Sequence, residues 1–154
     1  MGLKVNFNRA ELSASLERAK GSVMRNVTKG LQIAGEDIVE TASAMAPRDT
    51  GALERSFRVT DAAQDRDAGG RFAKAGVTIY IDPLATNPET EKSVTEYAGI
   101  MHEELTPYGE MQLGPGSAAK GGEVGGGFLE RAIEEHMDDI EETVANQVNK
   151  ALMR

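Results

Sequence analysis

The sequence predicts an α+β domain in which a long N-terminal helix and a C-terminal helix pack on a small antiparallel sheet, with a glycine-rich loop before the last helix. Three observations carry this. An apolar residue recurs every three or four positions from Leu12 to Met45 and again from Leu129 to Leu152, the period of amphipathic helices. Two short stretches, SFRVTD and VTIYID, alternate apolar and polar residues instead, the period of strands. Helices lying outside a small sheet in chain order give the α+β class.

The first helix is expected over residues 9–46. Its stripe runs Leu12, Leu16, Ala19, Val23, Val27, Leu31, Ala34, Ile38, Ala42 and Met45. Asn8 can cap its start, with Glu11 three residues on as in a capping box. Pro47 ends it, because the residue before proline is pushed out of the α region. Gly21, Gly30 and Gly35 each weaken it by up to ~1 kcal/mol against Ala, and a break is expected near Gly21-Ser22. A β-hairpin is expected over 54–82. Phe57, Val59, Val77, Ile79 and Ile81 form its buried face, and the polar stretch DAAQDRDAGGRFAKAG its long loop. Pro83 stops the second strand.

A short helix over 93–101 follows the linker LATNPETEKS. The stretch 106–127 then holds eight glycines and two prolines in 22 residues and reads as a loop, with room for a short strand from Glu110 to Leu113. The last helix is expected over 128–153, striped by Leu129, Ile133, Met137, Ile140, Val144, Val148 and Leu152. Its first half is rich in Glu and Asp and its end carries Lys150 and Arg154, which suits the helix dipole. The 154 residues fit one domain and show no internal repeat.

Composition narrows the function classes. The formal charge is −8, which argues against binding DNA by neutralising phosphates and suits a surface to which DNA must not stick. The chain has no cysteine, so disulfides and thiolate metal sites are excluded. The N-terminus MGLKVNFNRAEL has no apolar signal core, and Asn6 stands where a myristoylation motif needs Ser or Thr. No apolar run reaches the ~18 residues of a membrane span, so a soluble cytosolic protein is expected.

Asp49-Thr50-Gly51-Ala52 matches the aspartic-protease tripeptide. In those enzymes the tripeptide follows an apolar strand, and two such loops share a proton between their carboxylates. Here Met45, Ala46, Pro47 and Arg48 precede it, the end of a helix. The competing reading is a helix–turn–strand corner: Pro47 stops the helix, Asp49 or Thr50 caps the turn and Gly51 supplies a permissive φ. GPGSAAKGG lacks the Gly-Lys-Ser/Thr order of a phosphate-binding loop, since Ala119 precedes Lys120 and Gly121 follows it. His102 beside Glu103 and Glu104, and His136 beside Asp139, lack the converging third ligand of a metal site. No catalytic set emerges, and no cofactor is expected.

The layout resembles a phage family, the neck or tail-completion (minor tail component) proteins of long-tailed phages. AMAPRDTGALERSF carries the likeness: Ala46, Pro47, Thr50, Gly51, Leu53, Ser56 and Phe57 stand on the family's Ala-Pro, spacer, Thr-Gly-x-Leu-x-x-Ser-apolar pattern. EYAGIMHEEL is similar to its Tyr-Ala-apolar-Glu block, and GGGFLERAIEEH to the Phe-Leu-x-x-Ala block opening its last helix. The blocks cover roughly residues 10–150. Where the family has Gly-Thr after the Glu, Glu104 is followed here by Leu105 and Thr106, which puts the local turn in doubt.

The resemblance implies a non-enzymatic virion protein at the head–tail junction: a homo-oligomeric ring, a hexamer, made in the host cytoplasm. Its implied partners are connector or neck proteins and tail-tube or tail-terminator proteins. DNA passes through without specific binding, and no membrane is involved. Neck ring and tail-terminator ring remain alternatives, as do a free-standing helical interaction module and a dimeric aspartic protease. Within a ring, the hairpin-loop residues Asp61, Asp65 and Asp67 are candidate lumen carboxylates, with the acidic stretch Glu130 to Glu142 as the second candidate. Gly114, Gly116, Gly121, Gly122, Gly125, Gly126 and Gly127 form a candidate assembly loop that orders against a neighbour.

Overall fold

The computed structural model describes residues 9–48, 50–66, 68–70, 72–103 and 124–153. It is an α+β fold with helix α1 (Arg9–Met45), a 3-10 turn (Glu54–Ser56), strands β1 (Phe57–Val59), β2 (Ala63–Arg66), β3 (Phe72–Gly76) and β4 (Ile79–Ile81), then helices α2 (Val94–Glu103) and α3 (Phe128–Leu152).

Helix α1 runs unbroken for 37 residues, about 55 Å at 1.5 Å per residue. The expected break near Gly21 is absent. Glycine lowers helix propensity but keeps its N–H, so the hydrogen-bond ladder continues where proline would cut it. The two later glycines also have a packing reason. A Cβ on Gly30 would stand 2.7 Å from the Cα of Val144 in α3, and one on Gly35 would stand 3.0 Å from Val59 Cγ1 and 3.2 Å from Val77 Cγ2. Both are places where another element comes close to the backbone of α1, and the contact offsets the lost propensity.

Helix α3 lies antiparallel to α1: Gly30 faces Val144, while Thr41, further along α1, faces His136, earlier in α3. Ile38, Ala42 and Ala132 are buried between the two helices, flanked by Met45, Ile79, Leu129, Ile133 and Ile140. As expected, both long helices pack around the small antiparallel sheet, whose Ile79 meets the Ile38–Ala42–Ala132 cluster and whose Val59 lies against α1 at Gly35; the two helices also pack on each other.

The hairpin is longer than the sequence suggested. β1 pairs with β4 in the register Phe57↔Ile81, Arg58↔Tyr80 and Val59↔Ile79. The stretch expected to be its loop forms a second antiparallel pair, β2–β3, with Ala63↔Gly76, Gln64↔Ala75 and Asp65↔Lys74 and a bulge between Asp65 and Arg66. Weak apolar alternation hid these strands. Cross-strand bonding forms them: Thr60 N–H donates to Thr78 O (2.9 Å), Thr78 N–H donates to Thr60 Oγ1 (2.9 Å), and Lys74 Nζ lies 3.1 Å from Asp65 Oδ2. The waist between the two pairs is tied to α1, where Ala62 N–H donates to Gln32 Oε1 (3.0 Å). Glu110 to Leu113, the expected short strand, and Asn8, the expected cap, lie outside the described residues.

Candidate functional site: a buried corner and an open helical face

The corner that joins α1 to β1 is built from the stretch containing the protease-like tripeptide. Ala46 N–H makes the last helical bond, to Ala42 O (2.8 Å), and Pro47 then turns the chain away, both residues being buried. Gly51 sits at φ +76° and is buried, the left-handed conformation in which glycine pays no Cβ penalty. Its carbonyl accepts from Arg55 N–H (3.1 Å). Ser56 is 1% exposed, and its hydroxyl donates to Leu53 O at 2.6 Å.

Further bonds fix the corner to its neighbours. Ser43 Oγ donates to Glu54 O (3.0 Å), Arg48 Nε lies 3.1 Å from Glu54 Oε2, and Asp82 N–H donates to Ser56 O (2.8 Å). Thr50 is half-buried and its carbonyl accepts from Arg55 Nη2 (3.1 Å). Asp49 lies outside the described residues. The surroundings are a helix end and a 3-10 turn, not the strand-borne loop of an aspartic protease.

Three separate stretches of sequence meet at this corner. Ala46, Ala52, Leu53 and Phe57 from the first, Ala98 from α2 and Phe128 from α3 form one buried cluster with Val94. Phe128 stands edge-on to Phe57, with centroids 5.6 Å apart, and to His102 at 4.9 Å. The end of the glycine-rich stretch is pinned here too. Gly125 N–H donates to Met45 O (3.1 Å), Gly127 N–H donates to His102 O (2.9 Å), and Val124, Gly125 and Gly126 are buried. Gly127, at φ 60°, opens α3. These three glycines therefore belong to the anchored lead-in of α3, which narrows the expected assembly loop to the residues before them. Gly114, Gly116, Gly121 and Gly122 lie outside the described residues.

Two apolar clefts flank the corner. One, of about 230 Å³, is lined by Pro47, Gly51, Leu53, Tyr97, Ile100 and Met101 among others. The other, of about 370 Å³, lies between β4, α2 and α3 and includes Tyr80, Ile81, His102 and Phe128. Their linings suit apolar side chains of a protein partner.

One arrangement imitates a catalytic relay. Thr41 Oγ1 lies 2.7 Å from His136 Nε2, and His136 Nδ1 lies 3.8 Å from Asp139 Oδ2. The second distance is too long for a hydrogen bond. Thr41 sits within helix α1, whose backbone donors around it are taken by the helix ladder, so among the described residues no oxyanion hole faces it. The Thr41–His136 bond acts as a polar tie between the two helices. Among the described residues no group of three or more His, Cys, Asp or Glu is placed to hold a metal ion, and no helix is long and apolar enough to cross a membrane.

The two candidate acidic segments differ in net charge. Asp61 and Asp65 are exposed on the hairpin as expected, and Asp67 lies outside the described residues. Over residues 61–76, however, the three aspartates are matched by Arg66, Arg71 and Lys74, so that segment is neutral on balance. The concentrated acidity lies on α3, with seven carboxylates against Arg131 and Lys150. All seven are exposed; Glu135, Asp138 and Glu142 share one face by helical spacing, whereas Asp139 lies beside His136, which meets Thr41 of α1.

The other exposed side of α3 is apolar. Met137, Ile140, Glu141, Val144, Ala145 and Val148 line a shallow groove of about 580 Å³. Met137, Ile140, Val144 and Val148 belong to the predicted stripe of this helix, but only part of that stripe faces α1. Comparison with family models, with curated proteins and with solved structures finds no match to the chain.

Proposed function

We propose that this protein is a structural subunit of the ring that joins phage head to phage tail, a neck or tail-completion component through which DNA passes. One observation carries the reading: the three sequence blocks that resemble that family, separated by up to 80 positions, contribute to a single buried corner. Pro47, Gly51, Leu53, Ser56 and Phe57 shape it, Tyr97 and Ala98 close one side, and Phe128 holds the start of α3 against it. Residues that define a resemblance by building one core define a fold, whereas chance matches would scatter over the surface.

The charge layout supports a passage for DNA. A carboxylate-lined wall repels phosphate at short range and weakens with salt. With the hairpin segment neutral, the face of α3 bearing Glu135, Asp138 and Glu142 is the better lumen candidate. The long hairpin and the stretch before Gly125 are then the parts left to reach connector and tail proteins. The open groove on α3 alone would equally favour a free-standing helical interaction module, which needs neither the hairpin nor the corner.

The test is a reconstruction of the virion together with particles lacking this protein. The expected result is a closed ring on the head–tail axis with a negative lumen, and unjoined heads and tails in its absence. A chain located off that axis, a lumen dominated by Lys and Arg, or normal joining without the protein refutes the proposal.

A further inference from the structure

The N-terminal end of α1 extends past the other described elements. With Gly30 facing Val144 and the helices antiparallel, Leu152 comes level with residue 22 or so, leaving roughly 20 Å of α1 beyond it at 1.5 Å per residue. Every described side chain from Ser13 to Lys20 is exposed, including Leu16 at 61%. Isolated helices of this length are marginal in water, and most helices are held by burying one face. A partner for this arm is therefore expected.

We propose that this arm docks in the open groove of α3 on a second copy of the chain. The two surfaces have the same spacing and opposite charge. On the arm, Leu16 is followed by Lys20, with half-buried Val23 at the arm's base; on α3, Met137 is followed by Glu141, with half-buried Val144 at the edge of the groove beside Gly30. Both follow the i, i+4, i+7 pattern of one helix face. Leu16 and Met137 are the exposed apolar groups, at 61% and 58%, and Lys20 and Glu141 are both exposed.

The wider charges agree. Residues 9–22 carry three cations, Arg9, Arg18 and Lys20, against Glu11 and Glu17, while α3 carries seven carboxylates against two cations. The arm cannot fill the groove of its own chain. α1 is one continuous helix, and the groove at Met137 to Val148 runs beside the middle of that helix, not beside its projecting end. Only another molecule can bring an arm there. Arm and groove are different patches, so repeating the contact gives the heterologous interface from which rings are built. Its closing into a ring rests on the function proposed above, but the contact itself does not.

The chain has no cysteine, so single introduced thiols report the contact cleanly. Leu16→Cys on one copy and Met137→Cys on a differently sized tagged copy are mixed under mild oxidation. Glu135→Cys, exposed on the opposite side of α3, serves as the control. The Leu16–Met137 pair should form a mixed disulfide faster than the Leu16–Glu135 pair. Lys20→Glu on the arm copy should slow it by roughly fivefold, a value set by the strength of exposed ion pairs. Glu141→Lys on the groove copy should restore the rate. Equal rates for the two pairs, a monomer at every concentration by sedimentation, or no rescue by the charge swap would overturn the proposal. Cross-linking by a protein that a virion map places off the head–tail axis would keep this contact and remove only the ring.

Discussion

One added methyl group should move the stability of α1 in opposite directions at two of its glycines. At Gly21 a Cβ would meet only the mobile Arg25 guanidinium, at 3.6 Å. Gly21→Ala then gains helix propensity and loses unfolded-state freedom, worth about 0.5–1 kcal/mol. At Gly30 the same Cβ would stand 2.7 Å from the Cα of Val144 and 3.1 Å from its Cγ2. Backbone cannot swing aside, so α3 must move away from α1 by about 1 Å to reach ordinary carbon–carbon separation.

That displacement loosens the packing around Ile38, Ala42 and Ala132, an overpacking cost of about 1–3 kcal/mol. Against it stands the same propensity gain of about 1 kcal/mol. Gly30→Ala should therefore be neutral to about 2 kcal/mol destabilising, and Gly30→Val worse. At about 2–4 °C per kcal/mol for a chain of this size, the two alanine variants should melt several degrees apart. The assay is thermal unfolding followed by circular dichroism at one fixed protein concentration, since self-association would otherwise shift the midpoints. Equal stabilisation by both alanines would refute the close helix approach at Gly30.

Other variants probe the corner and the glycine-rich stretch. Phe128→Ala should cost about 3–5 kcal/mol, because it empties a site that is 1% exposed and removes both ring contacts; an unchanged melting curve would contradict the cluster. Gly51→Ala should cost about 1–2 kcal/mol for its left-handed φ of +76°. Asp49→Asn, at most the loss of a turn cap worth ~1 kcal/mol, should leave the protein folded, and pepstatin-sensitive peptide cleavage by the parent that this variant loses would revive the protease reading. Deleting residues 116–123, which spares the Gly125 bond to Met45, should give a folded protein unable to support head–tail joining, and normal infectious particles from the deletion would contradict that role.

How much of this was legible in the sequence depends on which force shapes each element. The two long helices were legible because their stripes repeat over many turns, and α2 because Val94, Ala98 and Met101 keep the same period. The unbroken course of α1 was not, since the contacts that offset Gly30 and Gly35 come from Val144, Val59 and Val77, distant in sequence. Strands β2 and β3 were missed because residues such as Asp65 and Lys74 pair through charge and backbone, with no apolar alternation to mark them. The corner was read from local chemistry: proline and glycine act on their immediate neighbours, so Pro47 and Gly51 carry their roles in the sequence itself, while Ser56 entered through the resemblance.

An apolar stripe marks which residues seek a partner without naming the partner. Leu16, Ile38, Met137 and Ile140 belong to equally regular stripes, yet Ile38 is 6% exposed and Leu16 is 61% exposed. The difference arises because α3 is about twelve residues shorter than α1 and antiparallel to it. Its 25 residues cover the end of α1 nearest the corner and stop short of the arm, and the groove runs along the flank of α3 from the α1 contact at Ile140 and Val144 out to the exposed Met137 and Glu141. A monomer optimised only for its own stability would trim the arm or cover the groove, since an exposed apolar face adds little stability and raises the risk of non-specific association. Keeping both, with opposite charges set at matching helical positions, makes sense for a chain whose folded unit is completed by its neighbours. Shortening the chain to begin just before Gly21 should therefore leave the melting temperature of the dilute protein almost unchanged while abolishing self-association. A large loss of dilute-protein stability would instead make the arm part of the subunit's own fold.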